Sequence, residues 1–159
     1  MEHDEISKFY DKLDEELYTF KLDKHALIET YDFIIFEYVD GQIAGLGGVR
    51  NKHEIYLAVR TPYQGNKIGQ KILERIIIKA KSENLNFLIL TVFITNRIAI
   101  HIYKKFKFIK IYSINVDGKK SNFMFLPLNM NGYFLFFFYL VKIFILKMFL
   151  RVKNITNIF

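Results

Sequence analysis

Apolar residues recur with helical spacing at the start of the chain. In "EISKFYDKLDEELYTF", residues 5–20, they are separated by steps of three and four, which gives the segment one apolar face. This pattern predicts an amphipathic helix. A second, short helix is predicted from about Asp23, a candidate N-cap, to Thr30. The apolar positions of the first helix are Ile6, Phe9, Tyr10, Leu13 and Leu17.

Runs rich in β-branched and aromatic residues follow, separated by turn signals. "YDFIIFEYVDGQIAGLGGVR" contains two such runs on either side of Asp40-Gly41, a dipeptide typical of tight hairpin turns. We predict strands at about 33–39 and 42–50. The segment "HEIYLAVR" predicts a third strand directly after them.

A helix of about fifteen residues is predicted after this strand, beyond the connecting loop that begins "TPYQGNKIG" at Thr61. Lys71, Arg75 and Lys79 repeat every four residues on one face, and we expect this basic stripe to face water or a ligand. The apolar positions on another face are Ile68, Ile72, Leu73, Ile76 and Ala80.

The segment "NFLILTVF" is fully apolar and of strand length, which predicts a central strand buried on both faces. A further helix is predicted from Asn96 to about Phe106. "KFIKIYSINVDGKKSNFMFLPL" then predicts a final hairpin that turns at Asp117-Gly118. Because strands alternate with helices only in the middle of the chain, the predicted class is mixed α/β (α+β) with a largely antiparallel sheet.

Charge is unevenly distributed along the 159 residues, a length typical of one domain. Residues 1–40 carry four Lys and Arg against twelve Asp and Glu, whereas residues 41–128 carry fifteen against four. The basic middle favours an anionic partner such as a phosphorylated cofactor, nucleic acid or an anionic membrane. A solvated lysine-rich surface explains the charge equally well.

Cysteine is absent and the four histidines lie far apart in sequence, so we expect no metal site. The acidic start of the chain has no apolar core of the kind that secretory signals have. We therefore expect the folded part of the chain to be cytoplasmic.

The composition changes after Leu128. Residues 133–150, "YFLFFFYLVKIFILKMFL", are nearly all apolar and nearly long enough to cross a bilayer, but Lys142 near the middle costs about 3 kcal/mol of insertion free energy. We predict one domain over 1–128, with a short helical arm at 1–32. The tail, 129–159, is open to three interpretations: a membrane anchor, a segment that packs on the domain or on a partner, and an out-of-frame extension.

The loop between the third strand and its helix has the construction of a phosphate site. A strand leads into a glycine-containing turn and then a helix, whose first N–H groups lack partners and whose dipole adds positive charge. Gly65 and Gly69 let the main chain approach a ligand, while Asn66 and Lys67 offer side-chain donors. The spacing matches neither the dinucleotide-binding motif nor the P-loop.

The stretch "VRTPYQGNKIGQKIL" resembles the signature of the GNAT N-acetyltransferase superfamily, Gln/Arg-x-x-Gly-x-Gly/Ala directly after a strand that ends in Val. Gln64 and Gly69 match its two ends. Lys67 stands where glycine is usual, and we expect it to offer its N–H to a ligand if its φ is negative.

A second stretch, "LTVFITNRIAIHIYKKFKF", resembles the next conserved block of the same family. Lys107 stands there in place of a usual glycine. The likeness covers roughly residues 33–128. The matching positions are Asn96, Ala99, Tyr103 and Phe108.

This resemblance implies a GNAT-type fold, in which a mostly antiparallel, twisted sheet has a central parallel pair of strands that splays apart at the cofactor site. It implies acetyl-CoA as co-substrate and a primary amine, in a small molecule or a peptide, as the acceptor that attacks directly in a ternary complex. The cofactor-binding residues that it implies are Leu57, Ala58 and Val59 for the pantetheine arm, Gln64, Gly65, Asn66, Lys67, Ile68 and Gly69 for the diphosphate, and Asn96 and Tyr103 near the thioester.

Two catalytic roles are implied in the same way. Tyr103 would protonate the leaving thiolate, and Glu54 would take a proton from the amine, with His53 as an adjacent alternative. A plain structural role is open for each residue: Asn96 as a helix cap, Tyr103 as core and Glu54 as an outward-facing strand residue.

An alternative function is a catalytically idle relative that binds CoA or a partner, because lysines occupy two usual glycine positions. Nucleic acid is not expected, since basic and aromatic residues do not interleave as in RNA-binding motifs. The sequence leaves open a homodimer, membrane contact through residues 133–150 and the identity of the acceptor.

Overall fold

The computed structural model describes Phe9, residues 31–116 and residues 118–156, with side chains described as far as Ile145. Apart from Phe9, which is helical and buried, the two predicted N-terminal helices lie outside the described residues. Asp117 of the second predicted hairpin turn also lies outside them. Its neighbour Gly118 has a φ of +75°, as a tight turn between two strands requires.

In the described part of the chain, six strands form one mixed sheet in the order β1-β2-β3-β4-β6-β5. Adjacent strands are antiparallel, except that β3 and β4 run parallel. The predicted turn at Asp40-Gly41 is confirmed, since both residues have positive φ, 49° and 74°. The strands are β1 (Tyr31–Val39), β2 (Gln42–Arg50), β3 (Glu54–Val59), β4 (Phe87–Phe93), β5 (Ile109–Val116) and β6 (Lys119–Pro127).

The helices predicted in the middle of the chain are confirmed, and a long helix follows the sheet. A short 3-10 turn at Thr61–Tyr63 links β3 to the first of them. The helices of residues 31–156 are α1 (Ile68–Ser82), α2 (Arg97–Lys105) and α3 (Met130–Thr156).

The face of the sheet that α1 covers, here called the helix face, carries the main core. Ile72 and Ile76 of α1 are fully buried. The helix approaches β2 closely because Gly47 has no side chain: a Cβ there would lie 2.8 Å from Cγ2 of Ile72 and 2.9 Å from the carbonyl oxygen of Tyr56. The buried sheet residues of this core are Phe33, Ile35, Ala44, Val49, Ile55, Leu88, Leu90, Val92, Met124 and Leu126.

The opposite face of the sheet, here called the far face, has a smaller apolar cluster. Phe9, Leu46 and Ala58 are buried there, and Tyr56 packs against them. Because side chains alternate along a strand, Glu54 shares this face with Tyr56 and Ala58, while Ile55 and its alternate neighbours point to the helix face.

The strands β3 and β4 are paired at a single position. Glu54 lies opposite Ile89, and the N–H of Ile89 donates to the carbonyl oxygen of His53 at 2.8 Å. Beyond this point the described residues of the two strands are not paired, whereas β3 stays paired with β2 as far as Val59. The splayed parallel pair implied by the family resemblance is therefore present.

The C-terminus of α2 is closed by a Schellman motif. The N–H of Phe108 donates to the carbonyl oxygen of Tyr103, and that of Lys107 to the carbonyl oxygen of Lys104, both at 2.9 Å. Lys107 has the left-handed conformation that this motif requires, with φ of 69°. The rings of Phe108 and Tyr103 pack edge to face, 5.8 Å between centroids, so this motif also holds Tyr103 in place.

Helix α3 begins directly after β6 and contacts the sheet. Asn129 caps it, because its Oδ1 accepts from the N–H of Gly132 at 3.0 Å. The ring of Phe136 lies 5.3 Å from that of Phe125, and the hydroxyl of Tyr139 donates to that of Tyr112 at 3.2 Å. The boundary predicted between residues 128 and 129 stays a prediction.

Other apolar side chains of α3 are exposed, among them Phe134, Phe137, Phe138 and Phe144. Within the described part of the chain, no helix has the combination of length and apolar character needed to span a bilayer.

We expect Lys107→Gly to stabilise the protein by about 1 kcal/mol, because a non-glycine residue in the left-handed region is strained and glycine is not. Urea unfolding at neutral pH measures the change. The matched control is Lys104→Gly in the last turn of α2, which should destabilise by about 1 kcal/mol because its conformation is ordinary helix. Destabilisation by both variants would contradict the strain at Lys107.

Candidate active site

A cleft of about 630 Å³ opens where β3 and β4 separate. It is lined from the helix face by Leu57, Val59 and residues of α1 and α2, and from the far face by Tyr56 and Thr91. Because residues from both faces line it, the cleft reaches through the sheet. A ligand inside it is accessible to a second molecule from the far face.

The edge of β3 along this cleft offers backbone hydrogen-bonding groups. The carbonyl of His53 points toward β4, so by alternation the backbone groups of Leu57 and Val59 point to the same side, into the cleft. Those of Ala58 point to β2, and only its side chain reaches the cleft. The side chain of Gln64 already occupies one of these groups, because its Nε2 donates to the carbonyl oxygen of Val59 at 3.2 Å.

The loop between the 3-10 turn and α1 presents unpaired N–H groups. None of the N–H groups from Gly65 to Gln70 donates a hydrogen bond to another described residue. All of these residues line the cleft except Asn66, which is exposed outside it. The side-chain donor expected from Asn66 is therefore not directed into the cleft.

The condition set for Lys67, a negative φ, is not met. Lys67 has φ of 60° and ψ of 10°, in the left-handed region, and Gly65 before it has φ of 82°. The physical reason is the tight reversal between the 3-10 turn and α1, which needs two left-handed residues within four positions. Its N–H nevertheless belongs to the unpaired set, since no described residue accepts from it.

Gly69 lies in the first turn of α1 and faces β3. A Cβ at this position would meet Cγ2 of Val59 at 3.5 Å and Cδ2 of Leu57 at 3.6 Å, which are ordinary contact distances. The protein itself therefore has room for alanine here, while a longer side chain would enter the cleft.

Asn96 and Tyr103 approach the cleft from α2. Asn96 is the N-cap of the helix, and its Oδ1 accepts from the N–H of Ala99 at 3.0 Å. This structural role leaves its amide nitrogen as the group available to a ligand. Tyr103 is half-buried, its hydroxyl makes no hydrogen bond to another described residue, and burial raises its pKa to about 12.

Glu54 lines the far-face end of the cleft and is paired with an arginine that sequence reasoning did not single out. Nε of Arg50 donates to its Oε2 at 3.0 Å and Nη2 to its Oε1 at 2.8 Å. Burial lowers the pKa of Arg50, but the hydrogen bonds and the charge of Glu54 outweigh it, so the net shift is upward and the guanidinium stays charged. In the sequence, only the register of the β2–β3 hairpin, which sets Arg50 opposite Glu54, could have indicated this ion pair.

His53, the alternative base, does not line the cleft; its ring packs against Phe87 with centroids 5.2 Å apart. Its neighbour in sequence, Glu54, points to the cleft instead. His101 of α2 is exposed and lines the cleft. Within the described residues, no three His, Asp or Glu side chains form a group that could hold a metal ion.

Known proteins similar to this chain are acetyltransferases. A curated relative, an uncharacterised N-acetyltransferase of Dictyostelium discoideum, is 34% identical over 74 residues. The match covers 46% of this chain and 34% of that protein, so the chain spans about a third of the length of the relative.

Solved structures show the same fold at low sequence identity. Ard1 from Thermoplasma volcanium superposes with a TM-score of 0.68 and 17% identity, over 80% of this chain and 93% of that one. A chain of the NatC complex bound to Gag peptide and CoA gives a TM-score of 0.67 and 18% identity, over 79% and 91% of the two chains.

The model of the acetyltransferase (GNAT) family matches residues 1–108, which include the splayed strands, the loop before α1, and α2. The sheet order, the cleft and this match agree, and the chain belongs to the GNAT acetyltransferase family.

Proposed function

We propose that this protein is an N-acetyltransferase that moves an acetyl group from acetyl-CoA to a primary amine by direct attack in a ternary complex. One observation carries the proposal: Gly65 and residues 67–70, whose N–H groups are unpaired among the described residues, line the same cleft as the open edge of β3. A diphosphate and an amide-containing arm, joined in one molecule, are the ligand groups that these two features complement.

The diphosphate is assigned to the loop. Unpaired N–H groups at the start of a helix bind anions, and the helix dipole strengthens the attraction. Lys67 and Arg97, which both line the cleft, add positive charge. No described residue accepts from these N–H groups, so they are available to an oxyanion.

The pantetheine arm is assigned to the edge of β3. Leu57 offers an N–H and a carbonyl, and Val59 offers an N–H, at the spacing of alternate strand residues. An extended arm with two amide groups therefore adds to the sheet as a short strand would. Ala58 is assigned apolar contact only, and the amide nitrogen of Asn96, which lines the cleft, is assigned as a donor to a carbonyl of the arm.

Tyr103 is assigned to the sulfur of the thioester. Attack of the amine builds negative charge on the carbonyl oxygen and then on the departing sulfur, so a hydrogen-bond donor there speeds the reaction. With a pKa of about 12, Tyr103 is protonated at neutral pH and is such a donor.

The raised pKa also limits this role. A thiol has a pKa of about 8.5, so complete proton transfer from Tyr103 to the thiolate would be uphill by about 5 kcal/mol. Tyr103 therefore stabilises the sulfur by hydrogen bonding, and the proton lost by the attacking amine is the one that ends on sulfur. An acceptor that enters as an ammonium also loses a proton before it attacks. Glu54 is the acidic residue of the cleft that attracts the ammonium and accepts this first proton, which passes on to solvent.

The idle alternative gains no support from the two lysines at usual glycine positions. Lys67 and Lys107 both adopt positive φ, 60° and 69°, so the backbone keeps the conformation that glycine would provide. The backbone strain at each lysine costs about 1 kcal/mol of stability, but the conformation of the site is kept.

Thermal unfolding with acetyl-CoA tests cofactor binding, and thiol release in the presence of primary amines tests turnover. A ligand at a hundredfold its Kd stabilises the folded state by about 2.7 kcal/mol, which raises Tm measurably. Absence of a shift at millimolar acetyl-CoA contradicts the proposal. A shift without thiol release from any amine favours the idle alternative.

We expect Gly69→Glu to abolish the acetyl-CoA shift while the protein stays folded. The new carboxylate would enter the anion site, yet an acidic residue in the first turn of α1 is favourable to the helix itself. Gly69→Ala is the control: it should fold at least as stably as the wild type, because alanine fits and favours helix by about 1 kcal/mol. An undiminished shift in Gly69→Glu would remove the loop from the site.

Tyr103→Phe should lower kcat by about a hundredfold or more, with the Kd for acetyl-CoA changed by less than about threefold. The reason is that the hydroxyl acts on charge that develops only during the reaction. Steady-state kinetics and calorimetric titration measure the two quantities. Equal losses in both would show that Tyr103 serves binding alone.

The same variant should change how stability depends on pH. Because the folded pKa of Tyr103, about 12, exceeds the ordinary tyrosine value of about 10, the wild type loses stability as pH rises from 10 to 12. Relative to Tyr103→Phe, we expect a loss of about 1.4 kcal/mol between pH 9 and pH 11. Urea unfolding at the two pH values measures it. A difference between the proteins that stays constant would mean that Tyr103 titrates normally.

A further inference from the structure

The ion pair of Arg50 and Glu54 lies where the two halves of the sheet join. Arg50 is directly opposite Glu54 across β2 and β3, and Glu54 is directly opposite Ile89, the one residue of β4 that pairs with β3. The pair therefore marks the point from which the cleft opens.

The side chain of Arg50 is mostly buried, that of Glu54 is partly buried, and both face the far-face end of the cleft. The side chain of Arg50 is 13% exposed and that of Glu54 is 31% exposed. Both residues line the cleft, and among its described lining residues Glu54 is the only acidic one. An ammonium group that enters from the far face meets this carboxylate.

The partner of Glu54 makes this encounter selective. An ammonium that draws the carboxylate away leaves the guanidinium of Arg50, a mostly buried charge, without its counter-ion, which is strongly unfavourable. An ammonium that binds while Arg50 stays in place meets a like charge beside it. An acceptor that brings its own anion relieves both difficulties, because Arg50 then pairs with the anion and Glu54 with the ammonium.

The geometry also favours a planar anion. Arg50 donates two hydrogen bonds to Glu54, one from Nε and one from Nη2, so three of its five N–H donors remain for another group. A guanidinium binds a carboxylate through two parallel hydrogen bonds. Since Arg50 and Glu54 are adjacent across the ladder, the anion and the reacting amine must be a few bonds apart in the acceptor.

From this arrangement we propose that Arg50 is a specificity-determining residue that selects acceptors carrying a carboxylate close to the primary amine. This inference rests on the proposed function and names its substrate class. Two sources share this chemistry: a free amino acid, and a peptide N-terminus followed by an acidic residue.

The test compares ligands that differ only in the anion. Lysine is compared with 1,5-diaminopentane, which is lysine without its carboxylate, and a peptide beginning Ser-Asp with one beginning Ser-Asn. Calorimetry measures binding of each to the protein with and without CoA. We expect at least tenfold tighter binding of the anionic member of one pair, and the pair that shows it identifies the source.

Substitutions at Arg50 separate its effect on ligand preference from its effect on folding. Arg50→Gln should reduce the ratio of affinities in that pair to about one, and Arg50→Lys should keep a preference. The matched control is Arg75→Gln, which breaks the surface ion pair with Glu37 and should leave the ratio unchanged. If Arg50→Gln does not fold, the ratio of affinities for the two ligands of a pair, measured for the wild type and for Arg50→Lys, still tests the inference.

Equal affinities within both ligand pairs for the wild type overturn the inference, as does a preference that Arg50→Gln retains. Failure of the proposed function is a different result: no acetyl-CoA shift and no thiol release with any amine. A carboxylate preference without thiol release would leave Arg50 as the selecting residue of a binding protein.

Discussion

The single paired position between β3 and β4 is the constraint on which the rest of the structure depends. Strands β1 to β3 are paired along their lengths, with register shifts between β1 and β2, and so are β4 to β6, with one between β5 and β6. Glu54 and Ile89 are the only described pair that joins the two halves. The cleft therefore begins where this single pairing ends. A strand edge exposed inside a protein requires partners for its backbone groups, and among the described residues Gln64 supplies one, to the carbonyl oxygen of Val59.

Two lysines near the cleft are held in a strained backbone conformation. Lys67 and Lys107 have left-handed conformations that glycine adopts without strain. Lys107 is held there by the two hydrogen bonds of the Schellman motif and by the packing of Phe108 on Tyr103. The strain is thus offset by contacts that also orient the proposed donor to sulfur, so local stability and function are linked at the end of α2.

The two faces of the sheet serve different purposes. The helix face is closed by α1 and α2 around a continuous apolar core, and it holds the loop that is assigned to the diphosphate. The far face carries Glu54 with Arg50 at the apex of the cleft, the Phe9 cluster beside them, and contacts with α3 at Phe125. A cleft lined from both faces is open to one molecule from the helix face and to a second from the far face.

Sequence alone determined what depends on neighbours along the chain. The strands around Asp40-Gly41, the helix after Gly65 and the cap at Asn96 followed from periodicity and local hydrogen bonding, and the family resemblance supplied the splayed strands. Tertiary structure decided what depends on register and close approach: that Arg50 pairs with Glu54, that His53 turns away to Phe87, that Asn66 lies outside the cleft, and that Lys67 has positive φ. Periodicity places a residue on a face, but which side chain it meets across a strand or beyond a reversal is set only when the strands are aligned and packed.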